Sequence, residues 1–277
     1  MTLLHIAESL VVGGVTGFLS GLLGIGGGFI LIPLLTLLDV PIHTAIGTSA
    51  AFIVCTSLAG LIQHVRQRSV DFILAAVLTF PAIVMARWGA LFAKSFPASG
   101  MYLAFSGLLF TVAIAFFFLS RRQALHPPVA LSPTLDLLPY VLHRHSVVAE
   151  TPYSYDVHVG KSLLIGFAAG ILTGFFGASG GFFLVPTLTI VLHVPIKITV
   201  GTTLALSVLP ALTSTLTHWQ AGNVDFGLWL PLVTASVLTS QFGARYMTRL
   251  QPEVIRNVFL ALVLVAALFM SVRGLAV

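Results

Sequence analysis

Charged residues make up only 8% of this 277-residue chain, against about 25% in an average soluble domain. That shortage excludes a water-covered globule, because there are too few ionised side chains to clothe one. With 57% hydrophobic residues and a mean hydropathy of +1.05, the chain's solvent is lipid. Cysteine is nearly absent as well: Cys55 stands alone in an apolar run, which excludes an intrachain disulfide and a cysteine-based metal centre. There is no Walker A sequence, no G-x-G-x-x-G fingerprint and no metal-binding histidine pair at helical spacing. A recognisable ATPase is thereby excluded, no metal or cofactor is expected, and active transport would draw on an ion gradient or on the substrate.

The few charges lean one way, with 13 Lys and Arg against 8 Asp and Glu and a formal charge of +5. In a soluble chain such an excess raises the question of nucleic acid. In a lipid-embedded chain it belongs to cytoplasmic loops, and no nucleic-acid partner is expected. The N-terminus lacks a basic region before its first apolar stretch and a cleavage site after it, so that segment is expected to be retained.

Apolar stretches of the roughly 20 residues needed to cross a bilayer run through the chain except between residues 121 and 159. That interval holds Pro127, Pro128, Pro133, Pro139 and Pro152 with His126, His143, His145 and His158, and prolines so spaced oppose a long helix. It reads as a cytoplasmic linker between a first transmembrane unit, 1–120, and a second, 160–277. His143 and His145, two residues apart, are too thin a pair to make a metal site.

The two units are copies of each other. Gly17 to Pro33 reads GFLSGLLGIGGGFILIP and Gly170 to Pro186 reads GILTGFFGASGGFFLVP. One residue further in offset, Pro41 matches Pro195, Gly47-Thr48 matches Gly201-Thr202, His64 matches His218, and Val70-Asp71-Phe72 matches Val224-Asp225-Phe226. Chance similarity between apolar stretches does not preserve Gly, Pro, His and Asp in order. Each copy holds five apolar segments: 8–24, 28–38, 42–62, 72–93 and 98–119, then 160–176, 181–192, 196–216, 226–247 and 253–273. The second of each set is too short to span alone.

If the first two segments of each copy form a helical hairpin, each copy crosses an odd number of times and the second is inverted. With the turn after residue 62 inside, Arg66, Arg68, Arg121, Arg122, Arg144, Lys161, Lys197, Arg245, Arg249 and Arg256 are inside, leaving Arg87, Lys94 and Arg273 of the 13 outside. Parallel copies would divide the same charges almost evenly, so the positive-inside rule selects inversion. The expected fold is an all-α integral membrane protein of two inverted repeats, each with a glycine-interrupted helix pair.

The interruptions are Gly24-Ile25-Gly26-Gly27-Gly28 and Gly177-Ala178-Ser179-Gly180-Gly181. Irregular backbone at membrane depth survives only where protein or a polar cavity satisfies it. In inverted-repeat transporters such breaks mark the substrate site, because freed amides and helix N-termini face an anion. Gly47-Thr48-Ser49 and Gly201-Thr202-Thr203 open the third segments, where their hydroxyls line the same place or simply cap and pack helices. His64 and His218 close those segments, with Asp71 and Asp225 after them. Asp caps the next helix and His satisfies carbonyls, or the group couples protons near neutral pH. Arg87 and its counterpart Gln241 are intramembrane polar candidates for an anion contact, with snorkelling of Arg87 to the interface as the plainer reading. Gly177 to Gly181 also matches the G-x-S-x-G nucleophile elbow, but that motif needs a strand before it, and apolar helix flanks it here. No enzyme is expected.

These paired elements, G-x-G-G-G-F-x-x-x-P and G-x-S-G-G-F-x-x-x-P, the G-T-[ST] starts and the H-x(6)-D-F turns, resemble the TauE/SafE sulfite-exporter family over nearly the whole chain. The Pro-rich linker is less typical of that family. The resemblance implies a multi-pass permease of a bacterial-type plasma membrane, moving sulfite, organosulfonates or related small anions and coupled to the proton gradient. Joined to the residues, it places the anion against the backbone of Gly26, Gly27, Gly28, Ser179, Gly180 and Gly181 and the hydroxyls of Thr48, Ser49, Thr202 and Thr203. His64, His218, Asp71 and Asp225 are then candidates for proton coupling or gating. The competing classes are a passive anion channel and a non-transporting accessory subunit.

Overall fold

The computed structural model describes residues 3–125, 141–148 and 151–276. In chain order the elements are α1 (Leu3–Leu23), α2 (Gly28–Leu37), α3 (Ile42–Arg66), α4 (Phe72–Ala93), α5 (Ala98–Leu125), β1 (Val141–Val148), β2 (Thr151–His158), α6 (Val159–Phe176), α7 (Gly181–Val191), α8 (Ile196–Gln220), α9 (Phe226–Met247) and α10 (Pro252–Ala276). Each expected apolar segment is a helix. α3 and α8 run one turn past the expected ends at 62 and 216, because their last turns carry polar residues such as His64 and His218 that still bond to protein.

Among the described residues seven helices are long and apolar enough to cross a membrane: α1, α3, α4, α5, α6, α8 and α10. α2 and α7, of 10 and 11 residues, rise only about 15–17 Å at 1.5 Å per residue, half of a roughly 30 Å hydrocarbon core. α9 has 22 residues, but Thr234, Ser236, Thr239, Ser240, Gln241 and Arg245 dilute its apolar character.

Small residues set the packing. Gly13, Gly17 and Gly21 of α1 meet Leu232, Ser236 and Ser240 of α9, and Gly166, Gly170 and Gly174 of α6 meet Leu78, Ala82 and Ala86 of α4. Both series advance by four along both helices, so each pair runs parallel with backbones in close approach. A Cβ on Gly17 would stand 2.5 Å from Ser236 Cα, which shows why only glycine fits.

α3 and α8 run antiparallel. Gly47, at the start of α3, faces the Asn223 carbonyl just after α8, and Gly201, at the start of α8, faces the Ser69 carbonyl just after α3. Around this centre, equivalent aromatics pair crosswise. Phe29 of α2 and Phe182 of α7 have ring centroids 6.1 Å apart, while Phe29 meets Phe259 of α10 and Phe182 meets Phe105 of α5, each at 6.2 Å.

The interval expected as a plain linker adds a β-hairpin to the all-α expectation. β1 and β2 pair antiparallel from Val141 with His158 to Val148 with Thr151. Period-two alternation explains it: Tyr155 and Val157 are buried and Asp156 between them is exposed. Tyr155 and Val157 join a cluster with Leu74, Leu78, Leu188 and Leu206, and the Tyr155 hydroxyl donates to Asp71 Oδ2 at 2.7 Å. His143 and His145 lie on β1 opposite Asp156 and Ser154. His126, Pro127, Pro128, Pro133 and Pro139 lie outside the described residues.

Candidate functional site

Five glycines of the two interruptions have a left-handed backbone: Gly24 (φ 71°), Gly26 (65°), Gly27 (83°), Gly177 (57°) and Gly180 (64°). L-residues pay for that conformation and glycine does not. The turns let α1 and α6 stop inside the protein and send α2 and α7 back. Gly27 and Gly180 are the N-caps of α2 and α7, and neither helix has a side-chain cap at that position or an acidic residue in its first turn.

The turns touch each other. The Ser179 hydroxyl donates to the Ile25 carbonyl, and a Cβ on Gly26 would fall 2.6 Å from Ser179 Cβ. Only one of positions 26 and 179 can therefore carry a side chain, and the chain has Gly at one and Ser at the other. A Cβ on Gly181 would lie 2.6 Å from Ile25 Cα, and one on Gly28 would lie 2.9 Å from Ala178 Cα.

The hydroxyls singled out in the sequence hold this crossing together. Ser49 Oγ donates to Gly177 O at 2.9 Å, and its counterpart Thr203 Oγ1 donates to Gly24 O at 2.6 Å. Thr48 Oγ1 accepts from Asp225 N and Thr202 Oγ1 from Asp71 N, both at 3.0 Å. Every one of these bonds joins one repeat to the other.

Asp71 and Asp225 cap α4 and α9. Asp71 Oδ1 accepts from Ile73 N at 3.0 Å and Leu74 N at 3.1 Å, and Asp225 Oδ1 accepts from Leu228 N at 3.1 Å. His64 and His218 are fully buried. A carbonyl only accepts, so His64 Nε2–H donates to Gly21 O at 3.1 Å and His218 Nε2–H to Gly174 O at 3.0 Å. His64 Nδ1 lies 2.8 Å from Ser69 Oγ, whose hydrogen has Nδ1 and, at 3.1 Å, the His64 carbonyl as acceptors. His218 Nδ1 has no partner among the described residues, since Asn223 stands where Ser69 would be.

Arg87 and Gln241 are not brought to the turns: Arg87 is exposed on α4, and Gln241 is half-buried on α9. Other polar groups come close that the sequence reading did not select. Ser207 Oγ bonds Ser179 O at 3.2 Å. Thr56 and Ser236 share a 2.9 Å hydroxyl pair. Ser20 and Ser57 are fully buried, and their hydroxyls have no partner among the described residues. The available signal was the difference between copies: Thr56 and Ser57 align with Pro210 and Ala211, and Ser236 with Ala82.

The arrangement places two helix N-termini at one buried crossing, α2 without a side-chain cap and α7 with its Gly181 N–H met by Ser179 Oγ at 3.3 Å. An N-terminus carries roughly half a positive charge, and no carboxylate in either first turn offsets it. Such a place suits an anion held by backbone amides.

The family model for the sulfite exporter TauE/SafE matches residues 9–270. The chain is similar to the probable membrane transporter protein YdhB of Bacillus subtilis (strain 168), 28% identical over 240 residues, 86% of this chain and 89% of the relative. It is 25% identical to YunE of the same organism over 254 residues, 89% and 90% of the two chains. A probable membrane transporter protein of Xylella fastidiosa (strain 9a5c) is 25% identical over 281 residues, covering 100% of this chain and 98% of the relative. No solved structure matches the chain. With a family match over almost its full length and its apolar helices, the chain is a multi-pass membrane protein that belongs to the sulfite exporter TauE/SafE family.

Proposed function

We propose that this protein is a secondary carrier of a small oxyanion of the sulfite or organosulfonate class, working by alternating access around the crossing of its two glycine turns. The observation that carries the reading is the meeting of two short helices that start at left-handed glycines, Gly27 and Gly180, with no carboxylate in either first turn and no side-chain cap on α2. The backbone of Gly26, Gly28, Ser179 and Gly181 forms the rest of that surface.

The two halves are inverted copies. This is supported by the antiparallel course of α3 and α8, which occupy equivalent places in the repeats, and by the crosswise bonds of Ser49 to Gly177 and Thr203 to Gly24. In such a pair one half can rock against the other, breaking the crossed bonds near one face while keeping those near the opposite face. Thr48, Ser49, Thr202 and Thr203 then act as the clasp of the two halves, and the anion meets the amides of the helix starts.

Proton coupling falls to His218 rather than His64. His218 can take a proton on Nδ1 with no neighbour rearranging, whereas protonation of His64 turns the Ser69 hydroxyl from Nδ1 to the His64 carbonyl. Among the described residues, His43 and Lys94 are charged or titratable groups whose fields reach His218. Asp71 and Asp225 serve as caps whose release would accompany opening.

The test is the concentration dependence of sulfite uptake by purified protein in liposomes, with and without a pH gradient. Saturation together with stimulation by an inward-directed proton gradient supports the carrier. Flux that rises linearly and ignores unlabelled sulfite inside marks a channel. Replacing Gly27 or Gly180 with Leu should abolish flux while membrane insertion persists, and preserved flux in both variants would remove the glycine crossing from the mechanism.

A further inference from the structure

The two sides of the glycine crossing differ in their supply of unused donors. At α7 most of the groups are spent: Ser179 Oγ accepts from Gly181 N at 3.3 Å, and Thr173, the counterpart of Ser20, donates to Ala169 O at 2.8 Å, which leaves only the Phe182 N–H without a partner among the described residues. At α2 they are not. Position 26 is glycine, so nothing caps α2 as Ser179 caps α7, and the N–H groups of Gly28 and Phe29 have no partner among the described residues.

Ser20 lies against this helix start: a Cβ on Gly27 would stand 3.3 Å from Ser20 Cβ. Elsewhere in α1, Ser9 and Thr16 donate to the carbonyl four residues back at 2.7 and 2.6 Å, a bond Ser20 forgoes. Ser57 occupies the α3 face between Ile53, whose Cδ1 touches the Cβ position of Gly28 at 2.6 Å, and Gly60, which faces Gly21 Cα at 3.7 Å. Both hydroxyls belong to side chains of 0% exposure. A buried hydroxyl without a partner is costly and rare, and two beside one uncapped helix start call for a ligand that brings acceptors.

We propose that the substrate seat is off-centre, at the α2 side of the crossing, with the hydroxyls of Ser20 and Ser57 and the amides of Gly28 and Phe29 as its donors. The seat rests on the anion-carrier reading above and makes it more specific. Its donors are all neutral, and the helix start supplies only about half a positive charge, so the ligand is a singly charged oxyanion with several acceptor oxygens. A sulfonate or hydrogen sulfite fits, and a dianion such as sulfate is left with unneutralised charge. Gly27 is tightly covered, its Cβ position lying 3.1 Å from Phe52 Cε1, so the ligand reaches the amides when the turn parts from Phe52.

The experiment measures the half-saturation of labelled sulfite counterflow in liposomes for wild type, Ser20→Ala, Ser57→Ala and the opposite-side control Thr173→Ala, with methanesulfonate and sulfate as competitors. Ser57→Ala installs the residue the second repeat already has at this place, Ala211, and both Ser variants are expected to melt at or above the wild-type temperature because an unsatisfied group is removed. Each Ser variant should raise half-saturation roughly tenfold, the lower end of what a hydrogen bond to a charged group contributes. Thr173→Ala should stay within about twofold of wild type. Methanesulfonate should compete at least about tenfold better than sulfate. Unchanged half-saturation in both Ser variants of a transporting protein, or an equal rise in Thr173→Ala, overturns the seat and leaves the carrier standing. Equal competition by sulfate overturns the single-charge assignment. A folded wild type that carries none of these anions overturns the carrier reading and the seat with it.

Discussion

The crossed hydroxyl–carbonyl bonds can be removed without changing shape, and Thr203→Val does so at one of them. Thr203 Oγ1 lies 2.6 Å from Gly24 O and 2.9 Å from Val200 O. Val200 O belongs to a helix and keeps its backbone donor, whereas Gly24 O accepts no other hydrogen bond among the described residues. The variant therefore leaves a buried carbonyl unpaired, at a cost of about 1–3 kcal/mol. Hydrogen bonds between membrane helices average nearer 0.6 kcal/mol, because the dispersed helices find other partners. Gly24 sits in a left-handed turn with no second donor, which puts this bond in the higher range. Denaturant titration in mixed micelles should show a loss of at least about 1 kcal/mol for Thr203→Val, recovered by Thr203→Ser. Ser49→Ala, removing the 2.9 Å bond to Gly177 O, should match it. The double variant should depart from additivity by more than about 0.5 kcal/mol, since both bonds close the same crossing. Thr203→Val within about 0.5 kcal/mol of wild type and indistinguishable from Thr203→Ser would refute the clasp.

Cysteines placed at Arg66 and Gln220 in a Cys55→Ser background should react with an impermeant thiol reagent from opposite sides of the membrane; labelling from one side would contradict inverted repeats. Gly27→Ala and Gly180→Ala should each destabilise by about 1–2 kcal/mol because they force an L-residue into a left-handed turn, whereas Gly107→Ala, in open space within a helix, should be neutral or stabilising in the same titration. Tyr155→Phe removes the 2.7 Å bond to Asp71, and amide hydrogen exchange of residues 151–158 should accelerate, while an unchanged rate would free the hairpin of that tether. His218→Gln should erase the stimulation of uptake by a proton gradient and His64→Gln should lower stability instead; retained stimulation in His218→Gln would remove it from the coupling path.

Helix boundaries were legible because glycine and proline recur in order in both copies, and apolar runs end where those residues fall. The caps at Asp71 and Asp225 were legible for a local reason, since an N-cap bonds within three residues. The roles of Ser49 and Thr203 were not, because their partners lie 128 and 179 residues away, and only the antiparallel crossing of α3 and α8 brings them together. The hairpin escaped notice because prolines and histidines dominate its surroundings, although Tyr155, Asp156 and Val157 alternate as a strand should. Ser20 and Ser57 were not legible in the residues the repeats share. Ser57 against Ala211 is a place where the copies differ, and asymmetry is what a single bound ligand selects from a symmetric frame.

The most direct test of the central claim is counterflow: purified protein in liposomes loaded with unlabelled sulfite, diluted into labelled sulfite. The account predicts transient, saturable accumulation of label above equilibrium, inhibited by a small sulfonate and lost in Gly27→Leu. Absence of accumulation for every small oxyanion, in protein whose fold and insertion are intact, would contradict it.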